Sequence, residues 1–256
     1  MKIAVCIKQI LDPEIPPTDF KIDPESGRPA EGQGKMVISI FDENALETAV
    51  QIKERHGGTV TAVSMGPKGA DEALRRALAM TADEAIRLDA SADRDAPATA
   101  AALADVLKKA GPVDLVLVGR QAGDWDQGQV GPMLAEAMGF ACVTAAFQPE
   151  LRDGGLLVRR EVSGGVDLVA VKLPAVVTIT NHDSNVPRFP KVRDTLTAMR
   201  RPIRVIPAEV DGGEPSIVLE ELTVLQYEGD CEIIGGEDGP AKAGALVGRL
   251  RDLKVL

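Results

Sequence analysis

The part of the sequence with the clearest potential for binding chemistry is the loop GRQAGDWDQGQVGP, residues 119–132, which directly follows the apolar run VDLVLV. Glycines let a backbone approach a ligand closely. The interior glycines of the loop are Gly123, Gly128 and Gly131. The loop enters a helix expected at about residues 129–137, whose free amide hydrogens could bind an anion. With Gln121 and Gln129 as side-chain donors, the loop predicts a phosphate site.

Two features of the same loop leave this prediction open. Glycine-rich turns between a strand and a helix are often only tight turns, and Asp124 and Asp126 would repel a phosphate unless they turn away from it. The single tryptophan of the chain, Trp125, lies between these two acids. It could shield the site, pack against a partner or cap the loop.

Other reactive residue types do not combine into an enzymatic motif. The stretch SGGVDL, residues 163–168, approaches the SGGxDS phosphate loop of ATP pyrophosphatases, but the residues that follow alternate like a strand, which favours a hairpin turn. His56 ends a predicted helix, and His182 lies in a loop with no evident nucleophile nearby. No HExxH, GxSxG or Walker motif occurs. We therefore expect neither catalytic residues nor a metal site in this chain.

Composition narrows the class of protein. The chain has 256 residues and a formal net charge of −10, which argues against a nucleic-acid partner because phosphate-backbone binding depends on lysine and arginine. Its three cysteines are far apart and show neither disulfide nor zinc spacing. The sequence contains no apolar run near the ~20 residues that span a bilayer. We expect a cytoplasmic protein that does not insert into membranes.

The elements that must position the loop alternate between strands and helices. Apolar runs begin with KIAVCIK at 2–8 and alternate with helical periods over the first ~140 residues. This pattern predicts right-handed crossovers and a Rossmann-like α/β fold with a doubly wound, mostly parallel sheet. Ligands bind such sheets at the carboxyl ends of the strands, where the order of strands reverses. The loop at 119–132 is expected at that edge.

The second half of the chain has a different pattern. Residues 143–174 contain three strand-like segments separated by DGG and SGG, which predicts antiparallel strands added to the same sheet. The segment PAVVTIT is expected to be another buried strand. We place the α/β domain at 1–205 and a C-terminal arm at 206–256. The arm ends in the amphipathic segment GALVGRLRDL, which needs a surface on a partner or on its own domain to bury its leucines.

Several blocks together resemble the beta subunit of electron transfer flavoprotein. They are KIAVCIKQILDP, KIDPESGRP, FDENALETAV, TAVSMGP, RRALAMTADEAIRL, VDLVLVGRQAGDWDQGQVGP, REVSGG, KLPAVVTIT and VPRFPKV. The resemblance runs collinearly over about residues 1–205, and GRQAGDWDQGQ is its most specific part. It implies an adenine nucleotide alpha hydrolase-like fold and a heterodimer with an alpha subunit that shares the redox FAD. The chain would then be an electron carrier without catalytic residues of its own.

The resemblance also implies a pocket for AMP. The residues that match it are Cys6, Ser39, Ile40, Phe41, Asp42, Met65, Gln121, Ala122, Gly123, Asp124, Trp125, Asp126, Gln127, Gly128, Gln129, Val130, Gly131 and Pro132. The family usually has Asn-Pro where this chain has Ser39-Ile40, so that edge of the pocket is expected to differ. No role is implied for Trp125. Cys6 and Met65 would line the pocket rather than react.

A recognition loop for a partner dehydrogenase is implied at residues 181–200. In the family an apolar side chain of this loop enters a pocket on a flavin dehydrogenase such as an acyl-CoA dehydrogenase. The matching residues are Pro187, Arg188, Phe189, Lys191, Val192, Arg193 and Leu196, with Val192 at the inserting position. The alternative is that Val192 packs inward and only anchors the loop.

Three interpretations follow from the sequence. The first is an electron-transfer subunit that holds AMP structurally. The second is the branch of the family in which another FAD replaces AMP and the complex oxidises NADH and bifurcates its electrons, which FDENALE and QVGP resemble somewhat more closely. The third is a stand-alone nucleotide-binding domain like the universal stress proteins, although the added strands and the long tail argue against it.

Overall fold

The computed structural model describes residues 1–91, 94–208, 215–224 and 231–256. The described chain divides into two compact units, Met1–Leu222 and Thr223–Leu256. The strands are β1 (Lys2–Cys6), β2 (Gln9–Leu11), β3 (Met36–Ile38), β4 (Thr59–Met65), β5 (Glu84–Asp89), β6 (Leu115–Gly119), β7 (Ala141–Arg152), β8 (Gly155–Val162), β9 (Gly165–Lys172), β10 (Ala175–Ile179) and β11 (Arg204–Pro207). The α-helices are α1 (Ile40–His56), α2 (Asp71–Ala79), α3 (Ala96–Ala110), α4 (Val130–Met138), α5 (Val192–Arg200) and α6 (Gly239–Asp252).

One sheet organises the first unit. Its strand order is β11-β5-β4-β1-β6-β10-β7-β8-β9, and the strands from β11 to β7 pair in parallel. The chain leaves β1 towards β4 and β5, and then returns to β6 on the other side of β1. This reversal confirms the doubly wound α/β fold and places the topological switch point between β1 and β6.

Helices cover both faces of the parallel strands, which explains why these strands are almost continuously apolar. Successive side chains point to opposite faces of a strand. On β1, Ile3 and Val5 pack in the layer that contains helices α1, α2 and α5, whereas Ala4 and Cys6 pack in the layer that contains α3 and α4. Both layers bury their apolar residues.

The antiparallel extension predicted after residue 140 is confirmed. The first part of β7 pairs in parallel with β10, and after a register shift near Ala146 its second part pairs antiparallel with β8. Strands β8 and β9 pair from Val162↔Gly165 outward, so the SGG segment is a hairpin turn. The hairpin interpretation of SGGVDL is therefore correct.

Three features of the fold go beyond the sequence interpretation. Helix α1 begins at Ile40, so Ile40, Phe41 and Asp42 form its first turn. Strand β11 pairs with β5 up to Pro207, so the sheet continues beyond residue 205. The hairpin of β2 and β3 was not predicted from the sequence. It buries Ile10.

The second unit contains the predicted amphipathic helix as α6. The Asp238 carboxylate caps it by accepting a hydrogen bond of 2.8 Å from the Ala241 N–H. Leu246 on this helix and Leu253 at its C-cap are exposed. Among the described residues, no helix is both long enough and apolar enough to cross a membrane.

Candidate nucleotide and partner sites

A cavity of about 410 Å³ lies at the carboxyl ends of β1 and β6, at the topological switch point. Its volume is within the range of small-molecule sites. Many of the residues expected around a nucleotide line it. They are Cys6, Asp42, Met65, Gln121, Ala122, Trp125, Gln127, Gly128, Gln129, Val130 and Gly131.

The other expected nucleotide residues lie outside the lining. They are Ser39, Ile40, Phe41, Gly123, Asp124, Asp126 and Pro132. Two of them, Ser39 and Phe41, contact the loop at 119–132. The Ser39 hydroxyl accepts a hydrogen bond of 3.2 Å from the Gly123 N–H, and the Phe41 ring lies 4.7 Å from the Arg120 guanidinium. Ile40 is exposed on the first turn of α1.

A buried carboxylate links the segment just after β1 to the end of β6. Asp42 accepts hydrogen bonds of 2.8 Å from the Lys8 N–H and of 2.8 Å from the Gly119 N–H, one on each oxygen. Burial raises the pKa of Asp42 to about 7, although these two N–H donors oppose the rise. Gly119 has no room for a side chain, because a Cβ there would lie 2.5 Å from an Asp42 oxygen. We call this arrangement the Asp42 brace.

The two acids of the loop at 119–132 have partners of their own. The Lys8 ammonium lies 2.6 Å from an Asp124 oxygen, and the Gln121 amide donates a hydrogen bond of 2.8 Å to Asp126. Since neither acid lines the cavity, the loop presents backbone and amide groups to it.

The glycines of this loop serve different needs. Gly128 adopts φ +64°, a left-handed conformation that glycine tolerates at no steric cost. Gly131 lies in the first turn of α4, where a Cβ would be 2.5 Å from the Thr178 methyl carbon on β10. It therefore lets the amino end of α4 pack closely against the sheet. This end has no side-chain cap, which leaves its amide hydrogens available to a ligand.

The Cys6 thiol in the cavity is a weak nucleophile. Burial, with a smaller effect of the nearby Asp42 charge, raises the pKa of the Cys6 thiol to about 12. A protonated thiol is a poor nucleophile. Trp125 lines the cavity and is still 42% exposed, so its indole lies at the edge of the opening.

His182, which lies outside the cavity, has a neighbour that was not predicted from the sequence. The Ser184 Oγ lies 2.9 Å from His182 Nδ1, although no nucleophile had been expected near this residue. The same nitrogen accepts a hydrogen bond from the Ser184 N–H and caps a short 3-10 turn. The Ser184 hydroxyl also reaches the Phe147 carbonyl oxygen at 3.2 Å. The pair therefore closes a turn.

A second candidate site lies at residues 186–199, where apolar side chains face solvent. Arg188 anchors this segment to α1 through hydrogen bonds of 2.8 Å to the buried Glu47 and of 2.6 Å to Glu54. Burial favours the neutral form of Glu47, but the hydrogen bonds from Arg188 outweigh it and lower the pKa of that carboxyl. Phe189 is 91% exposed and Val192 78% exposed. Val192 thus does not pack inward, so the anchoring role belongs to Arg188.

The sequence matches one protein family along most of its length. The model of the electron transfer flavoprotein domain matches residues 30–211. Electron transfer flavoprotein subunit beta of Thermoanaerobacterium thermosaccharolyticum is 39% identical over 220 residues, which cover 84% of this chain and 82% of that protein. The CarD subunit of the caffeyl-CoA reductase-Etf complex of Acetobacterium woodii is 34% identical, with 100% of both chains covered. This chain belongs to the electron transfer flavoprotein beta-subunit family.

FixA of Azotobacter vinelandii is also similar to this chain, with 31% identity over 94% of this chain and 91% of that protein. Residues of the loop at 119–132, which carries the most specific part of the resemblance, line the cavity. Val192, expected at the inserting position, is the first residue of α5, with Leu196 one turn further and also exposed.

Sequence reasoning missed part of the cavity wall. The additional lining residues include Arg28, Arg94, Asp95, Thr99 and Leu103, with Pro215, Ile217, Val218 and Leu219. One signal could have indicated the α3 residues. Asp95 precedes Ala96-Pro97, and an aspartate before a proline at the first turn is typical of a helix start. Helix starts at the carboxyl edge of a parallel sheet border its ligand site.

Proposed function

We propose that this chain is an electron transfer flavoprotein beta subunit that works as a heterodimer with an FAD-binding alpha subunit. Together they would carry electrons between flavin dehydrogenases, such as an acyl-CoA dehydrogenase, and a downstream acceptor. The redox FAD would be shared with the alpha subunit. The observation that carries the proposal is the switch-point cavity, in which a glycine loop and an uncapped helix start face a partly apolar space.

In this proposal AMP occupies the cavity as a structural ligand. The backbone amides at the start of α4 and the amide side chains of Gln121 and Gln129 would hold the phosphate, since a helix start attracts anions. Cys6 and Met65 line the cavity and would contact the nucleotide without reacting. The protonated thiol of Cys6 fits such a passive role.

The exposed segment at 186–199 would dock the dehydrogenase. An apolar side chain gains free energy when it leaves water for a pocket, and Phe189, Val192 and Leu196 are exposed together. Lys191 and Arg193 flank Val192 and would accelerate encounter with acidic groups at the rim of the pocket. The ion pairs of Arg188 would hold the segment in place before docking, which reduces the entropic cost of binding.

A second candidate function replaces AMP with another FAD, so that the complex would oxidise NADH and bifurcate its electrons. Two observations favour keeping this alternative. FDENALE and QVGP resemble that branch somewhat more closely, and one relative that matches this chain over its whole length is a subunit of a reductase-Etf complex.

Ligand analysis of the purified complex tests both functions. The full-length chain is co-expressed with its alpha subunit, purified without added nucleotide and denatured. Released FAD is then quantified by its visible spectrum, and AMP by chromatography. One FAD and one AMP per heterodimer support the first function, and two FAD support the second. A chain that purifies as a monomer without flavin or AMP beside its alpha subunit would refute both.

A further inference from the structure

A segment without helix or strand, residues 215–219, forms one wall of the switch-point cavity. Pro215, Ile217, Val218 and Leu219 line the cavity, although this segment follows the last strand of the sheet in sequence. It belongs to the same compact unit as the sheet. We call residues 215–219 the strap.

Asp95 ties the strap to the start of helix α3. One oxygen of its carboxylate accepts a hydrogen bond of 3.1 Å from the Ala98 N–H and so caps the helix. The other oxygen accepts hydrogen bonds of 2.7 Å from the Ser216 N–H and of 3.2 Å from the Ile217 N–H. The Ala98 N–H, followed by those of the strap, lowers the pKa of Asp95. A single ionised side chain thus holds two walls of the cavity together.

The strap differs in chemistry from the wall formed by the loop at 119–132. The loop at 119–132 offers amide donors, whereas the strap offers aliphatic side chains. Ile217 is 46% exposed and Val218 68% exposed, so both lose contact with water when a ligand fills the space beside them. A molecule with a polar phosphate and a flat, weakly polar base needs both kinds of wall.

We propose that the strap is the closing wall of the nucleotide site and that Asp95 is the positioning residue that controls nucleotide release. The proposal rests on the proposed function, because the ligand is an adenine nucleotide. Bound nucleotide cannot leave past the strap while Ser216 and Ile217 remain bonded to Asp95. Loss of these bonds accelerates release and leaves the phosphate contacts at α4 intact.

The Asp95→Asn variant separates the strap from the helix cap. Asparagine is as good an N-cap as aspartate, so its carbonyl oxygen can still accept from the Ala98 N–H. Its NH₂ group then faces the N–H groups of Ser216 and Ile217 and cannot accept from them. The matched control is Asp238→Asn, the same change at the N-cap of α6, where the carboxylate bonds to the Ala241 N–H.

The experiment follows release of radiolabelled AMP, and in a parallel arm radiolabelled FAD, from the full-length chain in complex with its alpha subunit after a chase with unlabelled nucleotide. Asp95→Asn should release nucleotide more than tenfold faster than wild type, with an unchanged association rate and melting temperature. Asp238→Asn should match wild type. A purely structural role of Asp95 would instead lower the melting temperature and leave the release rate unchanged.

A second variant, Ile217→Ser, removes apolar cover and keeps the bonds to Asp95. It should release nucleotide several-fold faster, and it decides the matter if Asp95→Asn does not fold. The strap proposal is wrong if a variant that folds releases nucleotide at the wild-type rate while the wild type retains nucleotide. The proposed function would not be affected by that result. If wild type retains neither AMP nor FAD in this cavity, the proposed function fails and the strap proposal fails with it.

Discussion

The switch-point cavity and the exposed segment at 186–199 use polar groups in opposite ways. At the cavity, Asp42 accepts hydrogen bonds from the backbone N–H of Lys8, just after β1, and of Gly119, at the end of β6, and so links these two segments. In the exposed segment, Arg188 bonds to Glu47 and Glu54 and thereby holds apolar side chains out in water. In the proposed function, the cavity would keep a small ligand bound, and the exposed segment would dock a partner transiently.

Gly128→Val should have the largest effect on the cavity. Valine at φ +64° is strained by roughly 1–2 kcal/mol, and its Cβ would lie 3.2 Å from the Arg120 carbonyl oxygen. We expect the purified complex to lose nearly all of its adenine nucleotide, measured by chromatography after denaturation.

Gly139→Val is the matched control for this prediction. Gly139 adopts φ +68° at the end of α4, and no other residue lies within 4 Å of a Cβ placed there. This variant should suffer similar backbone strain and keep its nucleotide. If both variants keep their nucleotide, the ligand does not contact the turn at Gly128.

Val192→Asp should have the next largest effect, on the exposed segment alone. A charge would enter an apolar pocket of the dehydrogenase, which is costly without a partner for that charge. Electron exchange with the physiological dehydrogenase should slow by well over tenfold. The melting temperature should not fall, because Val192 is exposed and an acid at the first turn of a helix is favourable.

The comparison variant is Val166→Asp, which places the same charge at an exposed valine of β9. Its exchange rate should remain at the wild-type value. If both variants slow exchange equally, general charge repulsion explains the effect and Val192 is not the docking residue.

Arg188→Gln should affect stability and docking together. It leaves the buried carboxylate of Glu47 without its charged partner, which we expect to cost about 1.5–3 kcal/mol of unfolding free energy. Chemical denaturation measures this loss. Glu54→Gln should cost at most about 1 kcal/mol, because Glu54 is exposed and surface ion pairs contribute little. A loss for Arg188→Gln no larger than that of Glu54→Gln would contradict the anchoring role.

Asp42→Asn should have the smallest effect, and this effect should depend on pH. The amide cannot accept from both the Lys8 and the Gly119 N–H, so at low pH the variant should be less stable by about 1–3 kcal/mol. In wild type, the folded pKa of about 7 exceeds the ordinary value of 3.8. The corresponding stability is complete below the ordinary pKa and is lost as the pH rises through the folded value.

Denaturation curves at several pH values test this prediction. Between about pH 4 and pH 7 the wild type should lose stability relative to Asp42→Asn, so that the gap between them narrows. A gap that is constant or that widens with pH would mean that Asp42 is ionised in the folded protein throughout this range.

The sequence predicts the fold well because buried parallel strands and glycine-ended helices carry strong local signals, as β1 and α3 show. It predicts the loop at 119–132 for the same reason. It does not reveal the Asp42 brace or the bonds from Asp95 to the strap, because these join residues that are far apart in the chain. The sequence pattern also did not predict that Val192 is exposed, because an apolar residue near prolines is equally compatible with inward packing.

The most direct test of the account is the electron density of the heterodimer crystallised without added nucleotide. We predict an adenine nucleotide in the cavity between the ends of β1 and β6, with a phosphate oxygen within hydrogen-bonding distance of backbone amides of residues 128–131 and the strap closed over the base. A cavity that contains only solvent, or a nucleotide whose phosphate lies away from the start of α4, would contradict the account.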